Sequence, residues 1–174
     1  MRRIVALLLA AAAAVSFTAC KKEPIIGYDP EIPPEWAEEA EKAANSPIKE
    51  VNRTTDFDGV WKSETTGEHY YFYNGHIFLM DNYGSDESAY YLWGTTVIIQ
   101  MVEKEKAEEY EDGKKELEAG EEFAQYYNSQ MVMPVEATTT VINENKVKTV
   151  TANGDEFVYT FVESVDGWPE GYDM

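Results

Sequence analysis

The chain has 174 residues, of which 33 are acidic and 14 are basic, and its formal net charge is −19 at pH 7. Such an acidic chain lacks the basic surface that nucleic-acid binding requires, so we expect no nucleic-acid partner. Aromatic residues make up 13% of the chain, which argues against a chain that is disordered throughout.

The first nineteen residues have the pattern of an export signal. Two arginines precede an apolar run at residues 4–17 that is short for a membrane-spanning helix. The end of this run and the three residues after it, Ser16-Phe17-Thr18-Ala19-Cys20, resemble the lipobox of bacterial lipoproteins. These proteins are cleaved before a cysteine that carries acyl chains such as palmitate. The resemblance implies a signal peptide at residues 1–19 and a membrane anchor through lipid on Cys20. An ordinary signal peptide or an uncleaved anchor is the alternative.

The residues after the signal bear on location and organisation. Lys21 stands where many inner-membrane lipoproteins have an aspartate, so the resemblance implies an address at the outer membrane or cell surface. Cys20 is the only cysteine of the chain, which excludes an intrachain disulfide. We interpret residues 20–56 as a lipidated tether with a short helix, residues 57–163 as one domain and residues 164–174 as a C-terminal tail.

A β-hairpin is predicted at residues 68–82, which read EHYYFYNGHIFLMDN. Asn74-Gly75 lies between two aromatic runs and is typical of a two-residue type I′ turn, because both turn positions need a positive φ. The turn pairs Tyr73 with His76, Phe72 with Ile77, Tyr71 with Phe78, Tyr70 with Leu79, and His69 with Met80. The two histidines would then lie about 13 Å apart along the ladder, too far to bind one metal ion together, so we expect no metal site.

The same alternation of apolar and polar residues continues to residue 163. We expect further turns at Gly94-Thr95, Glu144-Asn145 and Asn153-Gly154. Eight strands are predicted, at residues 57–64, 68–73, 76–82, 87–93, 96–102, 135–143, 146–152 and 155–163. Sequential strands with short turns indicate an all-β fold, an eight-stranded up-and-down antiparallel barrel.

A short motif on the first predicted strand carries a family resemblance. Gly59-Val60-Trp61 resembles the G-x-W signature of lipocalin-like calycin domains. The resemblance covers residues 57–163 and implies that Trp61 closes one end of the barrel. Lipocalins usually stack an arginine from the end of the last strand on this tryptophan, but residues 163–174 contain none, and Arg53 is the only arginine after the signal.

The predicted turns also fix which side chains point into the barrel. Alternation places one face of each strand inside, where its residues either line a ligand cavity or fill the core. The predicted interior set is Trp61, Tyr70, Phe72, Ile77, Leu79, Tyr90, Leu92, Val97 and Ile99.

Residues 103–134 interrupt the barrel pattern between the fifth and sixth predicted strands. This acidic insert contains many charged residues and a few apolar ones at helical spacing, so we expect it to be partly helical. A solvated excursion is one interpretation. The other is a lid over an open barrel end, with Phe123, Tyr126, Tyr127, Met131 and Met133 facing the opening.

Motifs for catalysis are missing from the sequence. The chain has no nucleophile elbow, phosphate-binding loop, zinc-protease helix or cysteine–histidine cluster, so we expect neither an enzyme nor a cofactor. Two classes of function remain. The barrel either carries a small apolar ligand, or is filled by its own side chains and acts as a protein-interaction or structural module.

Overall fold

The computed structural model describes residues 34–130 and 133–172, so Cys20 and the predicted signal peptide lie outside the described residues. The described residues divide into two units, with the boundary between Pro47 and Ile48. In the first unit, helix α1 spans Pro34–Ala44, and the fixed φ of a proline suits this first helical position. Among the described residues, none of the helices combines the length and apolar character that crossing a bilayer requires.

The second unit is built from one nine-stranded sheet. Short helical segments separate some of its strands: 3₁₀ turns at Thr54–Phe57 and Lys104–Lys106, and helix α2 at Ala107–Glu111. The strands are β1 (Ile48–Asn52), β2 (Gly59–Ser63), β3 (His69–Tyr73), β4 (His76–Asp81), β5 (Ala89–Glu103), β6 (Glu122–Ser129), β7 (Val135–Asn143), β8 (Lys146–Thr151) and β9 (Glu156–Glu163).

Strands β2 to β9 form a closed barrel. Each strand pairs antiparallel with the next one along the chain, and β9 pairs back with β2. The predicted fold class, an eight-stranded up-and-down antiparallel barrel, is therefore confirmed. Strand β1 is an addition to the barrel, since it pairs with the second half of β5, where Ile48 lies opposite Glu103. By sequence, residues 48–52 are assigned to the tether, so strand β1 corrects that assignment.

The hairpin of β3 and β4 has the predicted register. All five predicted residue pairs are present, from Tyr73 opposite His76 at the turn to His69 opposite Met80 at the far end. Asn74 and Gly75 have φ values of 45° and 79°, as the type I′ turn requires.

The predicted turn at Gly94-Thr95 is wrong, because β5 runs through these residues without a break. Gly94 serves a different purpose there. A Cβ atom on Gly94 would lie 2.1 Å from the main-chain oxygen of Asn128 on β6, so only glycine permits the two strands to approach this closely. The two predicted strands at 87–93 and 96–102 are therefore one strand.

Strand β6 was not predicted, since its residues had been assigned to the insert. The strand count of eight is correct because this omission offsets the division of β5 into two. The later turns fall in the predicted places. Asn143 pairs with Lys146 around Glu144-Asn145, whereas pairing between β8 and β9 stops at Val150 and Glu156, so the connection at Asn153-Gly154 is longer than two residues.

Two apolar clusters lie on opposite sides of the barrel wall. The interior cluster consists of Phe57, Trp61, Ile98, Phe123, Val141 and Val147. The outer cluster consists of Val60, Tyr71, Phe78 and Met80, and it is covered by Val165, Trp168 and Tyr172 of the segment that follows β9. This C-terminal segment, residues 164–172, is fastened by the Tyr71 hydroxyl, which donates a hydrogen bond to the Gly167 carbonyl oxygen at 2.6 Å.

Candidate functional site

The barrel contains a cavity of about 120 Å³. At one end its walls are the buried side chains of Phe57, Trp61, Ile98 and Val147. At the other end the lining includes Thr66, which is exposed on the β2–β3 connection. The cavity is therefore closed at the Trp61 end and open at the Thr66 end, which we call the mouth.

Aromatic packing closes the barrel around Trp61. The indole nitrogen of Trp61 donates a hydrogen bond to the Phe57 carbonyl oxygen at 2.9 Å. Phe57 packs edge-on against Phe123 of β6, with ring centroids 5.5 Å apart, and Phe161 of β9 packs edge-on against Trp61 at 5.2 Å. Rings from three strands and from the segment before β2 therefore fill this end of the barrel.

Arg53 contacts both the closed end of the barrel and the acidic insert. The residue is 2% exposed, and its guanidinium pairs with the carboxylate of Asp56. It also donates hydrogen bonds to the side-chain oxygen of Gln100 at 2.7 Å and to the Lys115 carbonyl oxygen at 2.9 Å. The guanidinium lies over the ring of Phe123, so the only arginine after Arg3 stacks on this phenylalanine from a position before β2.

The first part of the acidic insert, residues 104–121, connects β5 to β6 and covers the closed end of the barrel. Leu117 packs against the interior cluster. The Gly120 amide donates to the Val141 carbonyl oxygen, and the Val141 amide donates to the Glu121 carbonyl oxygen, both at 2.8 Å. Residues 104–121 therefore lie at the Trp61 end of the barrel and not at the mouth.

The residues predicted to form the lid are dispersed. Phe123 and Tyr127 point into the barrel from β6, Phe123 at the closed end and Tyr127 at the mouth, as predicted for Tyr127. Tyr126, between them on the same strand, points outward. Met133 is 80% exposed, and Met131 lies outside the described residues.

A layer of polar side chains crosses the middle of the barrel. The hydroxyl of Thr139 donates to the side-chain oxygen of Gln125 and lies 2.9 Å from the hydroxyl of Thr149. The Gln125 amide nitrogen lies 3.5 Å from the Thr96 hydroxyl. All four side chains are buried and use one another as partners, so this layer is satisfied without a ligand.

Aromatic side chains surround the mouth. Tyr70 packs edge-on against Trp93 and Tyr159, at centroid distances of 6.3 and 6.0 Å, and Trp93 lies 5.8 Å from Tyr127. Phe157 completes the ring beside Tyr159. These five rings come from four different strands, so the mouth is formed only when the barrel closes.

Like the Tyr127 hydroxyl, the hydroxyl of Tyr159 is a polar group of the cavity lining that is left free. Among the described residues, no side chain or main-chain group hydrogen-bonds to it. Every fully enclosed side-chain nitrogen or oxygen in this part of the chain does have a partner, so the Tyr159 hydroxyl is not fully enclosed. Burial raises the pKa of Tyr159 to about 12, so the group is a neutral donor at physiological pH.

Four residues of the predicted interior set, Trp61, Tyr70, Phe72 and Ile77, lie in the cavity wall. Leu79 lies opposite Tyr70 in the register and shares its face.

The β5 members of the predicted interior set are on the wrong side. Tyr90 and Leu92 pack in the outer cluster, Val97 is 42% exposed, and Ile99 lies on the same face as Val97. Trp93, Thr96 and Ile98 face inward instead, because β5 is continuous and carries a bulge at Trp93, where pairing shifts from Ile77–Gly94 to Phe78–Leu92.

Gln125 and Tyr159 were missed by the sequence interpretation. For Tyr159 a signal was available, since Phe157, Tyr159 and Phe161 alternate along β9.

The two histidines lie on the outside of the hairpin. His69 stacks on Tyr83 with ring centroids 4.1 Å apart, and His76 packs against Trp168 at 5.0 Å. Partial burial lowers the pKa of His69. Within residues 34–130 and 133–172, no group of three or more His, Cys, Asp or Glu side chains is placed to hold a metal ion.

Comparisons of the chain with protein-family models, with curated proteins and with solved structures give no match.

Proposed function

We propose that this protein is a lipid-anchored binding protein of the bacterial outer membrane or cell surface, whose lipocalin-like barrel holds a small apolar ligand. The observation that carries the proposal is the cavity of about 120 Å³, closed at Trp61 and open at an aromatic mouth. A concave apolar site with a few directed polar groups is the usual form of a small-molecule site. The eight-stranded up-and-down barrel and the buried Trp61 support the lipocalin-like interpretation.

A binding role is proposed rather than a catalytic one. Among the described residues that line the cavity there is no carboxylate, imidazole, thiol or amine. General acid–base catalysis most often uses such groups, and nucleophilic catalysis uses one of them to activate a hydroxyl. Burial raises the pKa of each lining tyrosine, Tyr70, Tyr127 and Tyr159, so none of them is a base near neutral pH. The lining instead provides aromatic surface and neutral hydrogen-bonding groups.

Titration with toluene tests the binding function. We expect saturable binding at one site, with a melting temperature that rises with toluene concentration, because a ligand that binds only the folded state stabilises it. Thr66→Trp should weaken binding, because residue 66 lines the mouth. Thr65→Trp is the matched control, since Thr65 is also exposed but does not line the cavity. Equal binding by the two variants would place the toluene elsewhere.

A second candidate function is a side-chain-filled barrel that acts as an interaction or structural module. The small volume favours it, because carriers of drug-sized ligands have cavities of about 300 Å³ or more. If wild-type protein binds neither toluene nor any other small ring compound, this second function replaces the first.

The anchor is tested separately from the cavity. Expression of the full chain in a bacterial host should give a product that lacks residues 1–19, carries the added mass of acyl chains and partitions into detergent. Cys20→Ser should abolish both the added mass and the partitioning. A wild-type product that is water-soluble and retains residues 1–19 would contradict the anchor.

A further inference from the structure

We propose that the cavity selects an uncharged ring of about the size of phenol, whose polar atom pairs with the Tyr159 hydroxyl. This inference rests on the proposed ligand-binding function and adds the chemical class of the ligand.

The size of the ligand follows from the volume of the cavity. About 120 Å³ is close to the volume of engineered apolar cavities that bind benzene, which are about 150 Å³. A fatty acid or a steroid is several times larger and would have to displace side chains of the polar layer or of the closed end. A single six-membered ring with one small substituent fits the enclosed space.

The shape of the ligand follows from the aromatic mouth. Tyr70 meets Trp93 and Tyr159 edge-on, so their ring faces and edges turn toward the same space. Aromatic groups prefer edge-to-face or offset contacts at centroid distances of about 4.5 to 7 Å, and a ligand ring could satisfy several of these contacts at once. Aliphatic ligands of equal volume would gain only the area they bury.

The charge of the ligand follows from the lining. The described residues that line the cavity carry no formal charge, so an ionised ligand would lose its hydration without gaining an opposite charge. The net charge of the chain, −19, also disfavours the approach of anions. The neutral form of a phenol fits this environment, and a carboxylate of similar size does not.

The polar contact follows from the hydrogen bonds already in place. Gln125, Thr139 and Thr149 bond to one another in the middle of the barrel. The Tyr159 hydroxyl has no partner among the described residues and is not fully enclosed, and Tyr159 lines the cavity. Like the Tyr127 hydroxyl, it is therefore a donor that a ligand oxygen or nitrogen can use without breaking an existing hydrogen bond, and the contact is assigned to Tyr159 because it is the more deeply buried of the two.

The test compares phenol, benzene and benzoate as probes, with dissociation constants measured by NMR titration of the full chain at neutral pH. We expect phenol to bind most tightly, benzene about tenfold more weakly and benzoate not measurably, with shifts concentrated on Trp93, Tyr127 and Tyr159. Tyr159→Phe should weaken phenol binding about tenfold and leave benzene unchanged. Tyr126→Phe, on the outer face of β6, is the matched control and should alter neither.

The outcomes separate this inference from the proposed function. If phenol and benzene bind equally, or if Tyr159→Phe has no effect on phenol, the ligand class is wrong although the binding function stands. Binding of benzoate as tight as that of phenol also contradicts the inference. If none of the three probes binds wild-type protein, the binding function itself fails.

Discussion

The Arg53 guanidinium lies 5.3 Å from the centroid of the Phe123 ring, at the end of the barrel opposite the mouth. Phe123 is 1% exposed, and the same guanidinium also lies 4.8 Å from the ring of Tyr110 on helix α2. One buried cation thus joins the barrel interior, the insert and the segment before β2. The same side chain makes both polar and apolar contacts at this end.

Replacing Arg53 by methionine should therefore destabilise the barrel strongly. The variant retains much of the apolar stem but leaves the buried Asp56 carboxylate without its counter-ion. Removing one partner of a buried ion pair costs about 3 to 5 kcal/mol of unfolding free energy, measurable by urea denaturation. Lys106→Met is the control, because the ion pair of Lys106 with Glu103 is on the surface. Equal urea midpoints for the two variants would show that the contacts of Arg53 do not stabilise the barrel.

Gly94→Ala should destabilise the protein by steric conflict between β5 and β6. The added Cβ would meet Asn128 and Ser129 main-chain atoms at 2.1 and 2.7 Å, so the strands must separate. We expect a loss of about 2 kcal/mol in thermal or chemical unfolding. Gly113→Ala is matched in chemistry but has no atom within 4 Å of the new Cβ, and it should leave stability unchanged or slightly higher. A wild-type melting temperature for Gly94→Ala would contradict the close approach.

Alkaline pH should unfold the protein through its buried tyrosines. Burial raises the pKa of both Tyr71 and Tyr159 to about 12, compared with about 10 in an unfolded chain. The folded state therefore keeps these protons longer, so their stabilising contribution is complete below pH 10 and is lost as the pH rises toward 12. Tyr159→Phe should show a shallower loss of stability across this range.

Tyrosinate absorbance provides an independent measurement of the same groups. The folded protein should contain a late-titrating fraction of tyrosine that becomes smaller in Tyr159→Phe. In concentrated guanidinium chloride both proteins should titrate in one step near the ordinary pKa. A single step near pH 10 for the folded wild type, under conditions where it remains folded, would contradict the burial of these hydroxyls.

Phe72→Ala tests whether the barrel interior contains an unfilled cavity. Because Phe72 borders the cavity, its truncation should cost less than about 3 kcal/mol and should allow naphthalene to bind. Phe78→Ala is the matched control, since Phe78 is fully buried in the outer cluster. That variant should lose about 3 to 5 kcal/mol and should not bind naphthalene. Equal losses with no naphthalene binding by either variant would favour the side-chain-filled barrel.

The parts of the fold that sequence predicted correctly are those with local signals. Asn74-Gly75 fixed one hairpin register completely, because two adjacent positions with positive φ leave few alternatives. Gly94 misled the interpretation, since sequence cannot tell a glycine needed for a turn from one needed for close strand approach. Strand β6 was missed because its inward residues include the polar Gln125, which breaks the apolar alternation; its hydrogen-bond partners come from other strands.

The cavity residues also divide into those with a local sequence signal and those that depend on contacts between distant strands. Tyr70, Phe72 and Ile77 were placed inside by the hairpin register, whereas the β5 residues were assigned as a set to the wrong face, because Tyr90 and Leu92 pair with Met80 and Phe78 of the outer cluster. A shift of one residue exchanges the two faces of a strand, so the inward face of β5 depends on its register against β4, which no local turn signal determines. The free hydroxyl of Tyr159 depends on contacts among distant strands, which a linear pattern does not contain.

The pairing of β2 with β9 determines at which stage of synthesis the barrel can form. Trp61 lies opposite Phe161, one hundred residues further along, and no shorter segment supplies the missing neighbour. A nascent chain that ends before residue 156 has neither the strand that closes the barrel nor the C-terminal segment that covers Phe78. Such long-range pairing is slow to form. Synthesis must therefore be essentially complete before this protein folds, and until then its aromatic faces need protection from aggregation.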